Sequence, residues 1–182
     1  PKETSHWNPA LPVECASARR KMQFQQLYPE AVIQPVRGNV LTRLEKLDSG
    51  EYGALILAEA GLKRLGLSDR IAYRFSPEEL VPAAGQGILA IQTRAGEYAD
   101  LLARLNSPDG ALCAKTERQL ASLLGGDCSA PVGCHAQLHG TDMTLYGFSG
   151  IGGVPRYGSV QGNRNDADLL VQQLASKLTI TE

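Results

Sequence analysis

The stretch RGNVLTRLEKLDSGEYGALILAEAGLKRLG, residues 37–66, decides the fold. Residues 40–47 carry their apolar side chains at helical spacing, and the Ser-Gly pair at 49–50 ends this helix. Residues 54–58 form a short apolar run typical of a strand buried on both faces, and a brief helix over 62–65 follows. Because helix and strand alternate, we expect a parallel or mixed sheet covered by helices.

The alternation continues on both sides of this stretch. Upstream, residues 17–27 suit a helix, and residues 31–33 form a short apolar strand. Downstream, Ser76 begins a helical turn as an N-cap followed by proline and glutamate. Residues 88–93 are apolar and suited to a strand, and a helix over 97–105 ends at a Ser-Pro-Asp-Gly break. We place a domain boundary at that break.

A different pattern follows the break. Residues 111–124 have leucines on one side and charged residues elsewhere, which predicts a helix that ends at the Gly-Gly pair 125–126. Three strands and a last helix follow, over 132–138, 143–148, 156–160 and from about residue 165 onward. The last helix has an apolar stripe of Leu170, Val171, Leu174 and Leu178. We therefore expect a small C-terminal α+β domain, with an antiparallel three-stranded sheet covered by helices.

Composition excludes several classes of partner. The chain has 182 residues, 43% of them hydrophobic and 20% charged, with a formal net charge of -1. A charge this small gives no overall field to hold nucleic acid or an anionic membrane, so any anion site is local. No apolar run approaches the ~20 residues that cross a bilayer, and the N-terminal stretch lacks a signal pattern. We expect a cytoplasmic protein whose cysteines stay reduced.

Arginines concentrate near the ends of the predicted elements. They are Arg19, Arg20, Arg37, Arg43 and Arg64. Helix N-termini and strand ends in an α/β sheet bind anions, and an arginine can hold a carboxylate through two hydrogen bonds. The placement suggests a polycarboxylated or phosphorylated ligand. Solvated surface arginines would give the same spacing, so the pattern leaves both interpretations open.

Cys128 lies in the glycine-rich turn LGGDCSAPVG, residues 124–133, between a predicted helix and a predicted strand. A thiol on such a turn can be exposed and reactive, although the neighbouring Asp127 disfavours the thiolate. A buried structural cysteine is the plainer alternative, because free cysteine is among the most often buried residues. Cys113, on the apolar stripe of a predicted helix, fits that plainer interpretation.

A soft-metal site is a further interpretation of the same region. Its ligands would be Cys128, Cys134 and His135, with His139. The spacing lacks the paired C-x-x-C of a zinc knuckle, and the histidines fit a strand and a turn better. We therefore expect no bound metal.

Five short motifs occur in order along the chain. They are RGNV with the following TRL and KLD (37–48), AGLKRLGL (60–67), PAAGQG (82–87), ER (117–118) and CSxPxG (128–133). In order and spacing these motifs resemble the signature of the hydroxymethylbilane synthases, also called porphobilinogen deaminases. The resemblance extends over nearly the whole chain, because the strands and helix predicted after residue 133 are compatible with the third domain of that family.

The resemblance implies a transferase of tetrapyrrole (haem) biosynthesis that condenses four porphobilinogen molecules into hydroxymethylbilane and releases ammonia. Members of the family extend a dipyrromethane cofactor, which is held through a thioether to the cysteine that Cys128 matches. A soft thiolate suits this bond because it adds readily to an electrophilic pyrrolic methylene. We expect porphobilinogen and the growing oligopyrrole as partners, no nucleic acid or membrane, and a monomer when the protein is complete.

The resemblance also assigns roles to individual residues. Cofactor contacts would come from Ser17, Arg19, Arg20, Arg43 and Gln86, and substrate contacts from Arg37 and Arg64. Because each added pyrrole brings two carboxylates, this assignment accounts for the local arginines. Three positions depart from the family's pattern: Cys15 and Ala16 stand where hydroxyl residues are usual, and Asp127 stands where glycine is usual.

The family's domain order predicts three segments. Residues 1–87 would form the second domain, an α/β domain resembling periplasmic binding proteins. Residues 88–106 would return to the first domain, and residues 107–182 would form the α+β domain that carries the cofactor. The first domain and its catalytic aspartate would precede residue 1, so we expect no catalytic residue in this chain and no activity from it alone. The apolar face of residues 88–106 would then be exposed.

A non-catalytic α/β module that binds small polyanions through the arginines is the alternative. Such a module would be indifferent to replacement of Cys128, whereas the enzyme requires this residue.

Overall fold

Two three-stranded sheets organise the chain, one parallel and one antiparallel. The computed structural model describes residues 7–127 and 129–179. These residues divide into two units. The first unit comprises residues 7–80, 129–131 and 150–155, and the second comprises residues 81–127, 132–149 and 156–179.

The first unit alternates strand and helix. Its elements are β1 (Val13–Glu14), α1 (Ala18–Leu27), β2 (Ile33–Gln34), α2 (Val40–Asp48), β3 (Ala54–Leu55) and α3 (Glu59–Arg64). The strand order is β2-β1-β3, and both pairs are parallel. The core of the unit comprises Val13, Cys15, Phe24, Ala31 and Ile56. The alternating pattern predicted a parallel or mixed sheet for this domain, and in the described residues every strand pair of this sheet is parallel.

Side-chain caps explain where two of these helices begin. The Ser17 hydroxyl accepts a hydrogen bond from the Arg20 N–H at the start of α1. The Asn39 side chain accepts a hydrogen bond of 3.0 Å from the Thr42 N–H at the start of α2. Each cap satisfies an N–H group that the helix itself leaves without a partner. These caps place the first turns of both helices directly after strands.

The strands of the first unit are shorter than predicted. The apolar run 31–33 predicted β2 two residues early, and the run 54–58 is a strand only over Ala54–Leu55. β1 was not predicted at all, because two residues give no period. At Ser76 the predicted reciprocal cap is present, since Ser76 and Glu79 exchange hydrogen bonds of 2.8 and 3.3 Å. Only a single turn follows it, not a helix.

The segment after residue 81 has little regular structure. The strand predicted over 88–93 is wrong, because these residues pair with no strand of the described chain. A helix, α4 (Ala99–Leu105), follows and buries none of its residues. The large apolar side chains of this segment are exposed, as expected: Ile88, Leu89, Ile91, Leu101 and Leu105. A strand needs a hydrogen-bonded neighbour, and apolar sequence alone does not supply one.

The second unit contains the antiparallel sheet and two long helices. Its further elements are α5 (Pro108–Leu123), β4 (Val132–His139), β5 (Asp142–Ser149), β6 (Arg156–Asn163) and α6 (Ala167–Leu178). The strand order is β4-β5-β6. Helix α5 packs on β4, and α6 packs on β5 and β6. The predicted antiparallel three-stranded sheet with helices is confirmed.

The two long helices, α5 and α6, were both predicted, and the start of α5 was placed too late. Helix α5 begins three residues earlier than expected, because Ser107 caps it and Pro108 occupies its first position. The predicted apolar stripe of α6 is buried throughout. It packs closely on strand glycines, since a Cβ built at Gly147 would lie 2.5 Å from Leu178 Cδ1. No helix of the described residues is long and apolar enough to cross a membrane.

Candidate anion-binding site

Two of the candidate arginines of the first unit, Arg20 and Arg43, lie near the carboxyl ends of the parallel strands, at one edge of the sheet. β1 ends at Glu14 and leads into the capped N-terminus of α1. β2 leads through a short loop into the capped N-terminus of α2. In parallel α/β sheets this edge is where ligands bind, and free N–H groups at helix starts favour anions.

Glu14 lies at the centre of this edge and was not identified from the sequence. Its side chain is 1% exposed, and its Oε1 lies 3.3 Å from Arg43 Nη1. Arg43 also donates from Nε to the Gly38 carbonyl at 3.0 Å, which holds the guanidinium over the loop before α2. The only sequence signal for Glu14 is a single carboxylate in an otherwise apolar run, just before the paired arginines.

Arg20 is the second arginine whose charge acts on Glu14. It donates from Nη1 to the carbonyl of Ile56, just after β3, at 3.0 Å. Burial raises the pKa of Glu14, and the nearby Arg43 and Arg20 charges offset part of that rise. Arg19, the neighbour of Arg20, is buried. The structure therefore brings Arg20 and Arg43 together around one buried carboxylate.

Ser17 and Cys15 form the turn between β1 and α1. The Ser17 hydroxyl serves as the helix cap, and Cys15 Sγ donates to the Ser17 carbonyl at 3.5 Å. Burial raises the pKa of the Cys15 thiol, so it stays protonated near neutral pH. A buried neutral thiol fits the apolar core of this unit, which Cys15 joins.

Arg37 and Arg64 differ from the other candidate arginines of the first unit because both are exposed. Arg37 lies in the loop between β2 and α2, and Arg64 ends α3. Neither guanidinium has an ion-pair or hydrogen-bond partner among residues 7–127 and 129–179. Both can therefore take a ligand carboxylate without breaking an internal contact.

Gln86 belongs to the second unit, in the exposed part of the loop PAAGQG. A buried carboxylate, Glu117 of α5, holds this loop against β4. Its Oε2 accepts from the Gly85 N–H at 2.6 Å, and its Oε1 accepts from the Ala136 N–H at 2.9 Å. The Pro82 carbonyl also accepts from the Cys134 N–H at 2.8 Å. The motif residues 82–87 and 117 thus form one hydrogen-bonded arrangement.

Gly133 of the last motif is required by the same arrangement. A Cβ built there would lie 2.8 Å from the Val81 carbonyl oxygen and 3.1 Å from that of Pro82. Both atoms are backbone and have little freedom to move, so only glycine allows the loop to lie this close to β4.

The turn that leads toward Cys128 begins with a defined helix end. Helix α5 stops at Gly125, which has a φ of +70°. The Gly125 N–H donates to the Ser122 carbonyl, and the Gly126 N–H donates to the Ala121 carbonyl. This is the Schellman pattern that a left-handed glycine makes possible. Cys128 itself, the expected attachment residue, lies outside the described residues.

After Cys128 the chain belongs to the first unit over residues 129–131. The Pro131 carbonyl accepts from the Gly150 N–H at 2.9 Å. A Cβ built at Gly150 would lie 2.6 Å from Met22 Sδ and 3.1 Å from Pro131 Cβ. The segment just after Cys128 is therefore packed close to helix α1, which carries Arg19 and Arg20.

The residues considered as metal ligands have other surroundings. Cys134 is fully buried in β4, and His135 Nδ1 lies 3.4 Å from Glu117 Oε1. Among the described residues, no group of three or more His, Cys, Asp or Glu side chains is placed to hold a metal ion. Cys113 is partly buried in α5, and burial raises the pKa of its thiol.

Two family models match the chain. Residues 2–101 match the porphobilinogen deaminase dipyromethane cofactor binding domain, and residues 111–179 match the porphobilinogen deaminase C-terminal domain. The chain is similar to porphobilinogen deaminases along most of its length. That of Acetivibrio thermocellus is 43% identical over 172 residues, 92% of this chain and 58% of the relative.

Two further relatives give the same result. The porphobilinogen deaminase of Thiobacillus denitrificans is 44% identical over 174 residues, 93% of this chain and 57% of the relative. That of Chromobacterium violaceum is 46% identical over 170 residues, 91% of this chain and 55% of the relative. The chain thus spans little more than half the length of these relatives.

Proposed function

Because the chain belongs to the porphobilinogen deaminase family, we propose that it is part of a hydroxymethylbilane synthase, the transferase that condenses four porphobilinogen molecules into hydroxymethylbilane with release of ammonia. The observation that carries this proposal is the cationic edge of the parallel sheet, where Arg20 and Arg43 converge beside capped helix N-termini. A polycarboxylate is the ligand that such an edge suits.

The residues at this edge fit the dipyrromethane that the family binds. The cofactor carries several carboxylates, and the edge offers guanidinium groups together with the first turns of α1 and α2. Arg19, Arg20 and Arg43 would hold its carboxylates, with Ser17 as a polar contact. Gln86, on the loop fixed by Glu117, would be a further contact.

Cys128 would hold the cofactor covalently through a thioether. When bound, the dipyrromethane primes growth of the pyrrole chain. The contacts of Pro131 with Gly150, and of Gly150 with Met22 of α1, support this role, because they place the segment after Cys128 near the helix that carries Arg19 and Arg20.

The exposed arginines would serve the incoming substrate. Arg37 and Arg64 are the candidate cations of the first unit with no internal partner in the described residues. Each porphobilinogen adds two carboxylates, and exposed guanidinium groups can bind them and release them as the chain moves on. Arginine is better suited than lysine because its planar group pairs with a carboxylate through two hydrogen bonds.

The domain organisation predicted from the sequence is part of this proposal. Residues 1–87 would form a domain resembling periplasmic binding proteins, residues 88–106 would belong with the family's first domain, and residues 107–182 would form the C-terminal domain. The exposed apolar side chains of residues 88–106 support the second assignment. No general acid or base is assigned to this chain.

The enzyme is favoured over a non-catalytic polyanion-binding module, because models of two successive domains of one enzyme family match the chain in order. Cytoplasmic location and a monomeric state when complete stay predictions from the sequence and the resemblance.

Intact mass spectrometry tests the proposed anchor. The chain is incubated with hydroxymethylbilane beside two variants, Cys128→Ser and Cys113→Ser. We expect the unaltered chain and Cys113→Ser to gain the mass of hydroxymethylbilane less one water, because the Cys128 thiolate replaces its hydroxyl group, and we expect no gain in Cys128→Ser. Absence of any gain, or an equal gain in Cys128→Ser, would contradict the proposal.

A further inference from the structure

Glu14 is a buried charge that no role described so far requires. Its Oε1 faces Arg43 at 3.3 Å. Its Oε2 is also buried, and within residues 7–127 and 129–179 no side chain pairs with it, while the backbone groups of Val36 and Ala16 lie close to the carboxylate. An ionised carboxylate with one unpaired oxygen is costly inside a protein. Glu14 is buried at this cost in free energy and lies beside the arginines of the candidate anion site. We therefore expect its role to lie at that site.

Arg43 is shared between the interior and the surface. The Glu14 side chain is 1% exposed, whereas the Arg43 side chain is 25% exposed. The guanidinium has five N–H donors, and Nε and Nη1 are directed to Gly38 and Glu14. Its exposed part can meet an anion from solvent while its inner part faces Glu14. The two negative groups would then compete for one positive charge.

The charges around Glu14 come from two helices. Arg43 approaches from α2 and Arg20 from α1, and both favour its ionised form. The backbone of Val36 and Ala16 also favours ionisation. Burial raises the pKa of the neighbouring Cys15 thiol, so this thiol is neutral near neutral pH. On the β3 side, Arg20 donates a hydrogen bond to the Ile56 carbonyl. Glu14 is therefore the negative member of a cluster with Arg20 and Arg43.

We infer that Glu14 is a built-in counter-ion that weakens anion binding at the cationic edge by occupying Arg43, and that its neutralisation releases Arg43 for an anionic ligand. The inference rests on the proposed function only for the identity of the natural ligand, a polycarboxylated pyrrole. Competition from Glu14 limits the affinity of the cationic edge for anions. A limited affinity suits a site whose ligand must shift as successive pyrroles are added.

The direction of the pH effect follows from burial. Because burial raises the pKa of Glu14, this carboxyl takes up a proton at a higher pH than an exposed glutamate does. As the pH falls through that range, Arg43 loses its internal counter-ion while keeping its own charge. Anion affinity should therefore rise as the pH falls, and Glu14 should be responsible for the rise.

Calorimetric titration of the full chain with benzene-1,3-disulfonate tests the inference, because the charge of this probe does not change with pH in the working range. The variants are Glu14→Gln and the matched control Glu51→Gln. Glu51 pairs with Lys46 at 3.1 Å in the same unit, but that pair is exposed. We expect Glu14→Gln to bind the probe about tenfold more tightly than the unaltered chain. Glu51→Gln should bind like the unaltered chain.

A pH series on the unaltered chain keeps the test decisive even if Glu14→Gln folds poorly. Its affinity for the disulfonate should increase as the pH falls, and in folded Glu14→Gln this increase should be absent. A Glu14→Gln affinity equal to or below that of the unaltered chain would overturn the inference. So would a flat pH series, or no binding by any of the three proteins. None of these results bears on thioether formation at Cys128, so failure here is distinct from failure of the proposed function.

Discussion

Each unit of this molecule buries one carboxylate beside a functional motif, and the two carboxylates have opposite surroundings. Glu117 accepts backbone N–H groups from Gly85 and Ala136 and lies beside His135. Glu14 has one ion pair, and its second oxygen has no side-chain partner in the part of the chain that the structure describes. Both are at least 97% buried. Burial alone therefore does not distinguish these two carboxylates, whereas the pairing of their oxygen atoms does.

The position of each carboxylate explains the difference. β4 lies at the edge of its sheet, so half of its backbone groups have no strand partner. Two acceptors take the place of the missing strand. The Glu117 carboxylate accepts a hydrogen bond from the Ala136 N–H, and the Pro82 carbonyl accepts one from the Cys134 N–H. Glu14 lies in the central strand β1, whose backbone is already paired on both sides. Its carboxylate therefore depends on arginine side chains from neighbouring helices.

The largest expected effect separates the two carboxylates by stability. Glu117→Gln puts an amide N–H against a backbone N–H and should lower the free energy of unfolding by about 3 kcal/mol. Glu14→Gln removes a poorly compensated charge and should change it by less than about 1 kcal/mol, or raise it. Urea unfolding of both variants measures this difference. Equal losses would show that Glu14 is as structural as Glu117.

A backbone contact gives the next largest effect. Gly133→Ala should lower the free energy of unfolding by about 1–3 kcal/mol, because the new methyl group would meet the carbonyl oxygens of Val81 and Pro82. Gly61→Ala is the matched control in α3. Beyond its chain neighbours and the backbone of its own helix, no heavy atom of the described residues would lie within 4 Å of its Cβ, and alanine favours a helix interior. In thermal unfolding, the midpoint temperature of Gly61→Ala should equal or exceed that of the unaltered chain, and that of Gly133→Ala should be lower. A Gly133→Ala midpoint above that of Gly61→Ala would contradict the packing described for Gly133.

The smallest effect is a pH dependence of stability. The folded pKa of Glu14 is raised, so its contribution to stability is complete at low pH and is lost as the pH rises through the folded pKa. The stability of the unaltered chain relative to Glu14→Gln should therefore fall as the pH rises. Urea unfolding at a series of pH values measures it. A difference that grows with pH would mean that the ion pair with Arg43 outweighs burial.

Local sequence signals predicted the helices well. The helices start at side-chain caps, Ser17, Asn39 and Ser107, that the structure shows and the sequence analysis had not singled out. The apolar stripe of α6 is buried as the pattern indicated. The three strands of the second unit were also found, because each is long enough to show a pattern and is bounded by turn residues. Each of these features depends on residues close together in the chain.

Features that depend on distant residues were not predictable in the same way. β1 is a strand only because β2 and β3 lie beside it, some twenty and forty positions later. Residues 88–93 had a strand-like composition but no neighbouring strand. The sequence singled out the arginines of the site, but the burial of Glu14 against Arg43 depends on an ion pair between residues 29 positions apart. The role of Glu117 likewise depends on contacts with Gly85 and Ala136.

The most direct test of the counter-ion is an NMR titration of the Glu14 carboxyl, assigned by loss of its signal in Glu14→Gln. In the free chain its pKa should lie above the range of an exposed glutamate. Saturation with benzene-1,3-disulfonate should raise this pKa further, because a ligand that binds the neutral form more tightly must favour protonation. An ordinary or lowered pKa in the free chain, or one unmoved by the probe, would contradict the role assigned to Glu14.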